Sequence, residues 1–326
     1  MASGKDATAG ADPNHRSPAS KPGRTQSAAS LGEGDADAGD WMPRHALASG
    51  LHLVATPIGN LGDISLRALW VLRGVDRILC EDTRVTARLL ARFGIDKPLD
   101  PYHDYNADRV RPAILGALRR GETLALVSDA GTPLVSDPGF KLVRAALAED
   151  LPVTAAPGAS AALTALILSG LPPDIFLFAG FLPSRSAARR RALANWADLA
   201  ATLIFYEGPP RLAASLADMA EILGERNAAV ARELTKRHEE IRRGSLGVLA
   251  EHYRGAGAPR GEAVIVVGPP EIAAPVAASD LDDRLRALLA GHSVRDAVAQ
   301  LVRETGIARR TLYERALALQ DGDRSR

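Results

Sequence analysis

The sequence predicts an α/β protein of two domains followed by a small helical module, on three observations. Short apolar runs alternate with helix-period segments from Leu51 to about Gly268. The two prolines of LSGLPPD, near Pro172, interrupt that alternation once, at a point where no helix can continue. Beyond the Pro- and Ala-rich stretch PPEIAAPVAASD the pattern turns helical and basic. The expected boundaries are a disordered tail over 1–48, an N-terminal α/β domain over 49–171, a C-terminal α/β domain over 172–270, a linker over 271–280 and a helix-turn-helix-like module over 281–326.

In chain order, LHLVAT, RILCED, TLALVSDAG and PVTAAPGAS each read as a strand ending in turn chemistry. Between them ISLRALWVLRG, VTARLLARFG, ADRVRPAILGALRRG and FKLVRAALAED carry helical periodicity, and several stop at a glycine, as helix C-termini do. Strand and helix in turn imply a parallel sheet whose ligands sit beyond the carboxyl ends of the strands. The second domain offers DIFLFAGFL, ATLIFYEGP, AAVARELT and GEAVIVVGP as strands. Its helices are expected over 187–198 and 211–223, with a further one before His252. In the last piece Ser293 and Asp296 match a capping box, and Gly306 separates two apolar-periodic segments, the second carrying Arg309, Arg310 and Arg315.

Composition narrows the function classes. The single cysteine, Cys80, excludes an intramolecular disulfide framework and the usual zinc clusters, and its apolar setting reads as a buried inert thiol. Forty basic and 39 acidic residues leave a net charge of +1, so any nucleic-acid contact rests on local basic patches. The most apolar run, AALTALILSG, is far short of the roughly 20 residues a bilayer needs. The first 48 residues lack an apolar h-region and carry scattered acids, which argues against a secretory or transit signal and for a cytoplasmic location.

Chemistry-bearing motifs gather at the strand ends. TPIGNLGD, Thr56–Asp63, occupies a strand-to-helix turn but is neither a dinucleotide fingerprint nor a Walker loop. In SDAGTP, Ser128–Pro133, Gly131 lets backbone approach a ligand, while Asp129 and Thr132 add an acceptor and a donor. The following SDPG reads as a helix start, with Asp137 as cap and Pro138 at the first helical position. Ser160 in APGAS caps a helix or faces a ligand carboxylate, and the two readings are compatible. CEDTR, with Glu81, Asp82 and Arg84, and HDYN, with His103, fall on the same edge.

TPIGNLGDIS, EDTR, HDYN, LVSDAGTPLVSDPG, PGASA, GFLPSR, TLIFYEGPPRL, ARELTK and GEAVIVV occur in that order. Over about Leu51 to Gly268 this resembles the bacterial 16S ribosomal RNA cytidine 2′-O-methyltransferases of the tetrapyrrole-methylase superfamily. The resemblance implies a two-domain tetrapyrrole-methylase-like fold, a homodimer, S-adenosylmethionine in the cleft, and 16S rRNA or the small ribosomal subunit as partner, with a cytidine ribose in the decoding region as acceptor. Carried onto matching positions, it implies a donor pocket lined by Pro57, Ile58, Gly59, Asp129, Ala130, Gly131, Thr132, Pro133, Ser160 and Ala161. Tyr206, Leu234, Thr235, Glu262 and Ala263 would close that pocket from the second domain.

Transfer to a ribose hydroxyl needs alignment and removal of one proton, for which Glu81, Asp82, His103 and Lys236 are the candidates. Arg84 would position a phosphate or order the carboxylates. For RNA contact the basic run SRSAARRR supplies Arg185, Arg189, Arg190 and Arg191, with Arg309 and Arg310 in the terminal module. Arg232, Lys236, Arg237, Arg242 and Arg243 extend the basic character; aromatics, at 4%, leave base stacking a minor role. Two other readings stay open: a corrin- or sirohaem-type C-methyltransferase on the same fold, and a non-catalytic nucleic-acid-binding protein working through its helical module.

Overall fold

The computed structural model describes residues 46–258, 261–270, 278–305, 307 and 309–324. The expected tail thus lies outside the described residues through position 45, as do Gly306 and 271–277 of the expected linker. The first sheet is wholly parallel and ordered β3-β2-β4-β1-β5. Its strands are β1 (Gly50–Val54), β2 (Arg77–Cys80), β3 (Leu99–Pro101), β4 (Thr123–Val127) and β5 (Val153–Ala156). All of β4 is buried, because crossover helices cover both faces of a parallel sheet. Those helices are α1 (Leu66–Gly74), α2 (Thr83–Arg92), α3 (Ala107–Arg119) and α4 (Phe140–Ala148).

One expected helix start needs correction. α4 begins at Phe140 with Gly139 at its N-cap, not at Pro138 with Asp137 as cap. Leu134 and Ser136 hold left-handed φ values of 71° and 65°, which turns the loop so that the Asp137 carboxylate points back toward Ser128.

The second sheet is mixed, ordered β6-β7-β10-β8-β9. β6 (Phe176–Phe181) and β7 (Thr202–Glu207) run parallel, while β10 (Ala263–Val267), β8 (Asn227–Arg232) and β9 (Glu240–Ser245) pair antiparallel. Leu203, Phe205, Val230 and Ile265 on one face pack against Leu193, Leu216, Met219 and Leu249. Those last four lie on α6 (Ser186–Ala194), α7 (Leu212–Leu223) and α8 (Leu246–Ala256).

The opposite face of this sheet joins the two halves. α5 (Ala161–Ser169) follows β5 yet lays Ala162, Ala165 and Leu166 on Ile204, Ala231, Val264 and Val266. The apolar character of AALTALILSG thus serves an inter-sheet joint, and no helix among the described residues is long and apolar enough to cross a membrane. The terminal module is three helices: α9 (Ala278–Leu289), α10 (Val294–Thr305) and α11 (Arg309–Arg324). Leu281, Leu285, Val298, Leu301, Leu312 and Ala316 form a core of their own. Ser293 caps α10, its Oγ accepting from Asp296 N at 3.2 Å, and Arg315 is tied to Asp282 at 2.5 Å.

Candidate active site

The loops after β1, β2, β4 and β5 meet at one edge of the first sheet and are bonded to one another. Thr56 and Gly131 exchange backbone hydrogen bonds at 2.9 and 3.0 Å. Gly131 sits at φ 85°, and a Cβ there would lie 3.2 Å from Ile58, so its lack of a side chain serves both conformation and approach. Thr56 Oγ1 donates to the Ser128 carbonyl at 3.0 Å, and Thr132 Oγ1 to the Ala159 carbonyl at 3.2 Å. The backbone N–H of Asp82 donates to Asp129 Oδ1 at 3.1 Å. Buried Ser128 donates its hydroxyl to Asp137 Oδ2 at 2.6 Å.

These loops wall a cavity of about 310 Å3. Of the residues expected at the donor site, Ile58, Asp129, Ala130, Gly131, Thr132, Ser160 and Ala161 line it from the first half. Tyr206, Leu234, Glu262 and Ala263 line it from the second. Pro57 and Gly59 line a second, adjoining cavity of about 350 Å3, and Pro133 and Thr235 line neither. Gly59 is a point of close approach: a Cβ would fall 2.9 Å from Thr235 Oγ1 and 3.0 Å from the Leu234 carbonyl.

Sequence reasoning missed Val135, Ser136, Asp137, Phe181 and the Glu207–Pro209 turn as lining residues. The repeated SD and the run EGPP were the available signals. Glu207, though on the wall, is fully engaged: it accepts from Ser215 at 2.5 Å, from Gly208 N at 2.7 Å and from Arg211 at 2.6 Å.

Charge is concentrated on the carboxylates. Burial raises the pKa of Asp137, with the charge of Asp129 adding to it and the Ser128 hydroxyl opposing. Burial also raises Glu81, reinforced by Asp129, Asp137 and Asp104. Asp82 moves the other way. The Arg84 side chain binds both its oxygens, at 3.0 and 2.6 Å, and with the Arg84 N–H holds it far below the usual carboxylate range.

Most of the expected catalytic side chains are engaged by neighbours in this geometry. Asp82 is the N-cap of α2 and an ion-pair partner, which makes it a poor proton acceptor. Arg84 is spent on Asp82. Burial pulls the Lys236 ammonium down, but Glu233 at 3.0 Å and Glu262 at 3.2 Å more than offset this and hold its pKa above the ordinary value. Glu81, Asp82, Arg84 and His103 line neither cavity; of the five, only Lys236 does, in the second. His103 donates its backbone N–H to Asn106 Oδ1 at 2.9 Å, and its ring meets Tyr105 edge-on at 6.1 Å.

Comparison with known proteins follows the same division of the chain. The family model for tetrapyrrole (corrin/porphyrin) methylases matches residues 50–250, and that for the RsmI C-terminal HTH domain matches 275–320. The chain is 49% identical over 281 residues to ribosomal RNA small subunit methyltransferase I of Mesorhizobium japonicum, spanning 86% of this chain and 95% of that protein. It is 52% identical over 274 residues to the protein of the same name from Erythrobacter litoralis, spanning 84% and 96%. The chain belongs to the tetrapyrrole methylase family. Solved structures share the fold at low identity. Diphthine synthase matches with a TM-score of 0.54 at 13% identity, over 67% of this chain and 89% of that one. The methyltransferase CobJ matches at 0.52 and 19%, over 68% and 95%.

The basic run expected at the acceptor side of this tetrapyrrole methylase is divided. Arg189 is buried and paired with Asp218 at 2.5 Å, with further bonds to the Pro183 and Ser184 carbonyls, so it is a packing residue and not an RNA contact. Arg190 bridges Asp218 and Glu221, at 2.7 and 2.6 Å. Arg185 and Arg191 are exposed. In the helical module Arg309 is exposed, and Arg310 forms only a surface pair with Glu314 at 2.9 Å.

Proposed function

We propose that this methylase uses S-adenosylmethionine to methylate the 2′-hydroxyl of a cytidine ribose in the decoding region of 16S rRNA. The observation that carries the reading is the charge of the first cavity. Its wall holds the carboxylates of Asp129 and Asp137 with no arginine or lysine paired to them among the described residues, whereas Glu207 and Glu262 there are paired with Arg211 and Lys236. A ligand bearing a sulfonium and an ammonium fits such a wall, and Ile58, Leu234 and Ala263 give an adenine its apolar faces. Bound there, the donor supplies a methyl already activated on sulfur. Asp129 and Asp137 would hold its cationic end, and the backbone at Ala130 and Gly131 with the N-terminus of α5 would hold the rest.

The chain's remaining task is to align the hydroxyl and accept its proton. Glu81, whose carboxyl is raised at this edge, suits that task better than Asp82. The reading includes a cytoplasmic homodimer, and exposed Leu163, Ile167, Ile175 and Phe176 offer apolar surface to a second copy. Labelled donor incubated with small ribosomal subunits or with a porphyrinoid decides among the readings. Ribose label supports this one, label in the macrocycle establishes the C-methyltransferase reading, and no label in either leaves the chain a non-catalytic binder. Sedimentation at micromolar protein tests the dimer.

A further inference from the structure

The second cavity has no part in the donor site as described, yet it shares Ile58, Ser128, Asp129, Ala130 and Glu262 with it. Its outer wall is Leu61, just past β1, together with Val85, Arg88 and Leu89 of α2. Those three helix positions are spaced i, i+3 and i+4 and so share one face. Leu61 and Val85 remain 42% and 37% exposed, so the rim presents apolar surface to a ligand. Arg88 is exposed and makes no ion pair or side-chain hydrogen bond among the described residues, whereas Arg84, one turn earlier, is spent on Asp82. On the inner side the Lys236–Glu262 pair spans the wall at 3.2 Å.

We propose that this cavity is the acceptor subsite and seats one extruded ribonucleotide of the RNA. The inference rests on the rRNA reading above. The base lies against Leu61, Val85 and Leu89, and Arg88 takes an adjacent phosphate. The ribose then faces the wall at Asp129 and Ala130 that both cavities share, which is where donor and acceptor groups can meet. The chemistry is complementary: a nucleotide presents one apolar-faced ring and one negative charge, and the cavity offers an apolar rim and one uncommitted guanidinium.

The test uses the full chain, with S-adenosylmethionine and small ribosomal subunits as probes. Val85→Trp fills the cavity, and Arg88→Glu reverses the charge at its rim. With Val85→Trp, methyl transfer should fall by about 100-fold, the scale of a misplaced reacting group, while the calorimetric donor affinity stays within about twofold. With Arg88→Glu, the acceptor KM should rise about tenfold with little change in kcat, and the salt dependence of subunit binding should weaken by about one unit of slope; Arg88→Lys should recover most of both. The thermal midpoint of each variant guards against misfolding, and Arg88, being exposed, is the safer of the two sites. Loss of donor affinity in Val85→Trp in step with activity would assign the cavity to the donor and overturn the proposal. So would ribose label that neither substitution changes. Absence of ribose label with the unsubstituted chain would overturn the rRNA reading, and the subsite with it.

Discussion

The hydroxyl of Ser128 reaches Asp137 across nine positions of loop, and this bond places a half-buried carboxylate on the wall of the donor cavity. Burial is the largest cause of its raised pKa, so the folded protein holds a proton there more readily than the unfolded chain does. The ionised form therefore costs stability at every pH above the folded pKa. That cost fades as pH falls through the raised value toward the ordinary 3.8. Asp137→Asn keeps an acceptor for Ser128 and removes the charge. It should melt higher than the parent protein at pH 8, with the two melting curves converging near pH 4, and should bind S-adenosylmethionine more weakly by calorimetry. A lower midpoint at pH 8 would show that the charge contributes to folding. The residue was misread from sequence because Asp-Pro-Gly ahead of an apolar run is also good cap chemistry. Only the left-handed backbone at Leu134 and Ser136 decides the matter. Four of the five non-glycine residues with positive φ among the described residues lie in this loop or in the Glu233–Thr235 turn facing it, and no local sequence preference announces them.

Among elements, the packing of α6 on α7 turns on Asp218. Ser186, Arg189 and Arg190 converge on its two oxygens at 2.5–3.0 Å, and Arg189 is buried with it. Burial alone would raise the Asp218 pKa; the bonds from Arg190, Ser186 and Arg189 outweigh it and bring the pKa below 3.8. Asp218→Ala would strand a buried guanidinium, a loss of about 3–5 kcal/mol in chemical denaturation at pH 7. Because the folded pKa is depressed, the pair's stabilisation is complete above pH 3.8 and is lost as pH falls through the folded value, so the difference between variant and parent should shrink there. A run of three arginines, Arg189–Arg191, cannot show from sequence which member turns inward; that depends on an aspartate 29 residues away. Strands were legible where apolar runs were continuous, as in β1, β4 and β10, because both faces of a buried strand need apolar groups. β9, EIRRGS, was not, since an edge strand carrying three charges has no apolar face to announce it.

For the whole molecule, the question is what holds an RNA substrate against a cleft whose own net charge is unfavourable. The first sheet contributes loops, the second contributes a wall, and α5 with the Gly59 contact fixes one against the other. Neither sheet offers a continuous basic surface: Arg77 is committed to Asp100 and Glu122, Arg119 to Glu149, Arg232 and Arg242 to Glu240. The three-helix module carries exposed arginines of its own. It has a separate core, its internal tie consumes Arg315, and Arg295 and Arg309 are left exposed. A module of this kind would raise the local concentration of substrate at the cleft, without touching the reacting atoms, wherever it contacts the same substrate. A chain ending at Pro270 should accordingly bind S-adenosylmethionine within about twofold of the full protein but require about tenfold more small subunit to reach half-maximal methylation. A defect that narrows as salt is raised would mark the module's contribution as electrostatic. An unchanged half-saturation point would make α9–α11 a plain helical cap, and a parallel loss of donor binding would make them part of the catalytic fold.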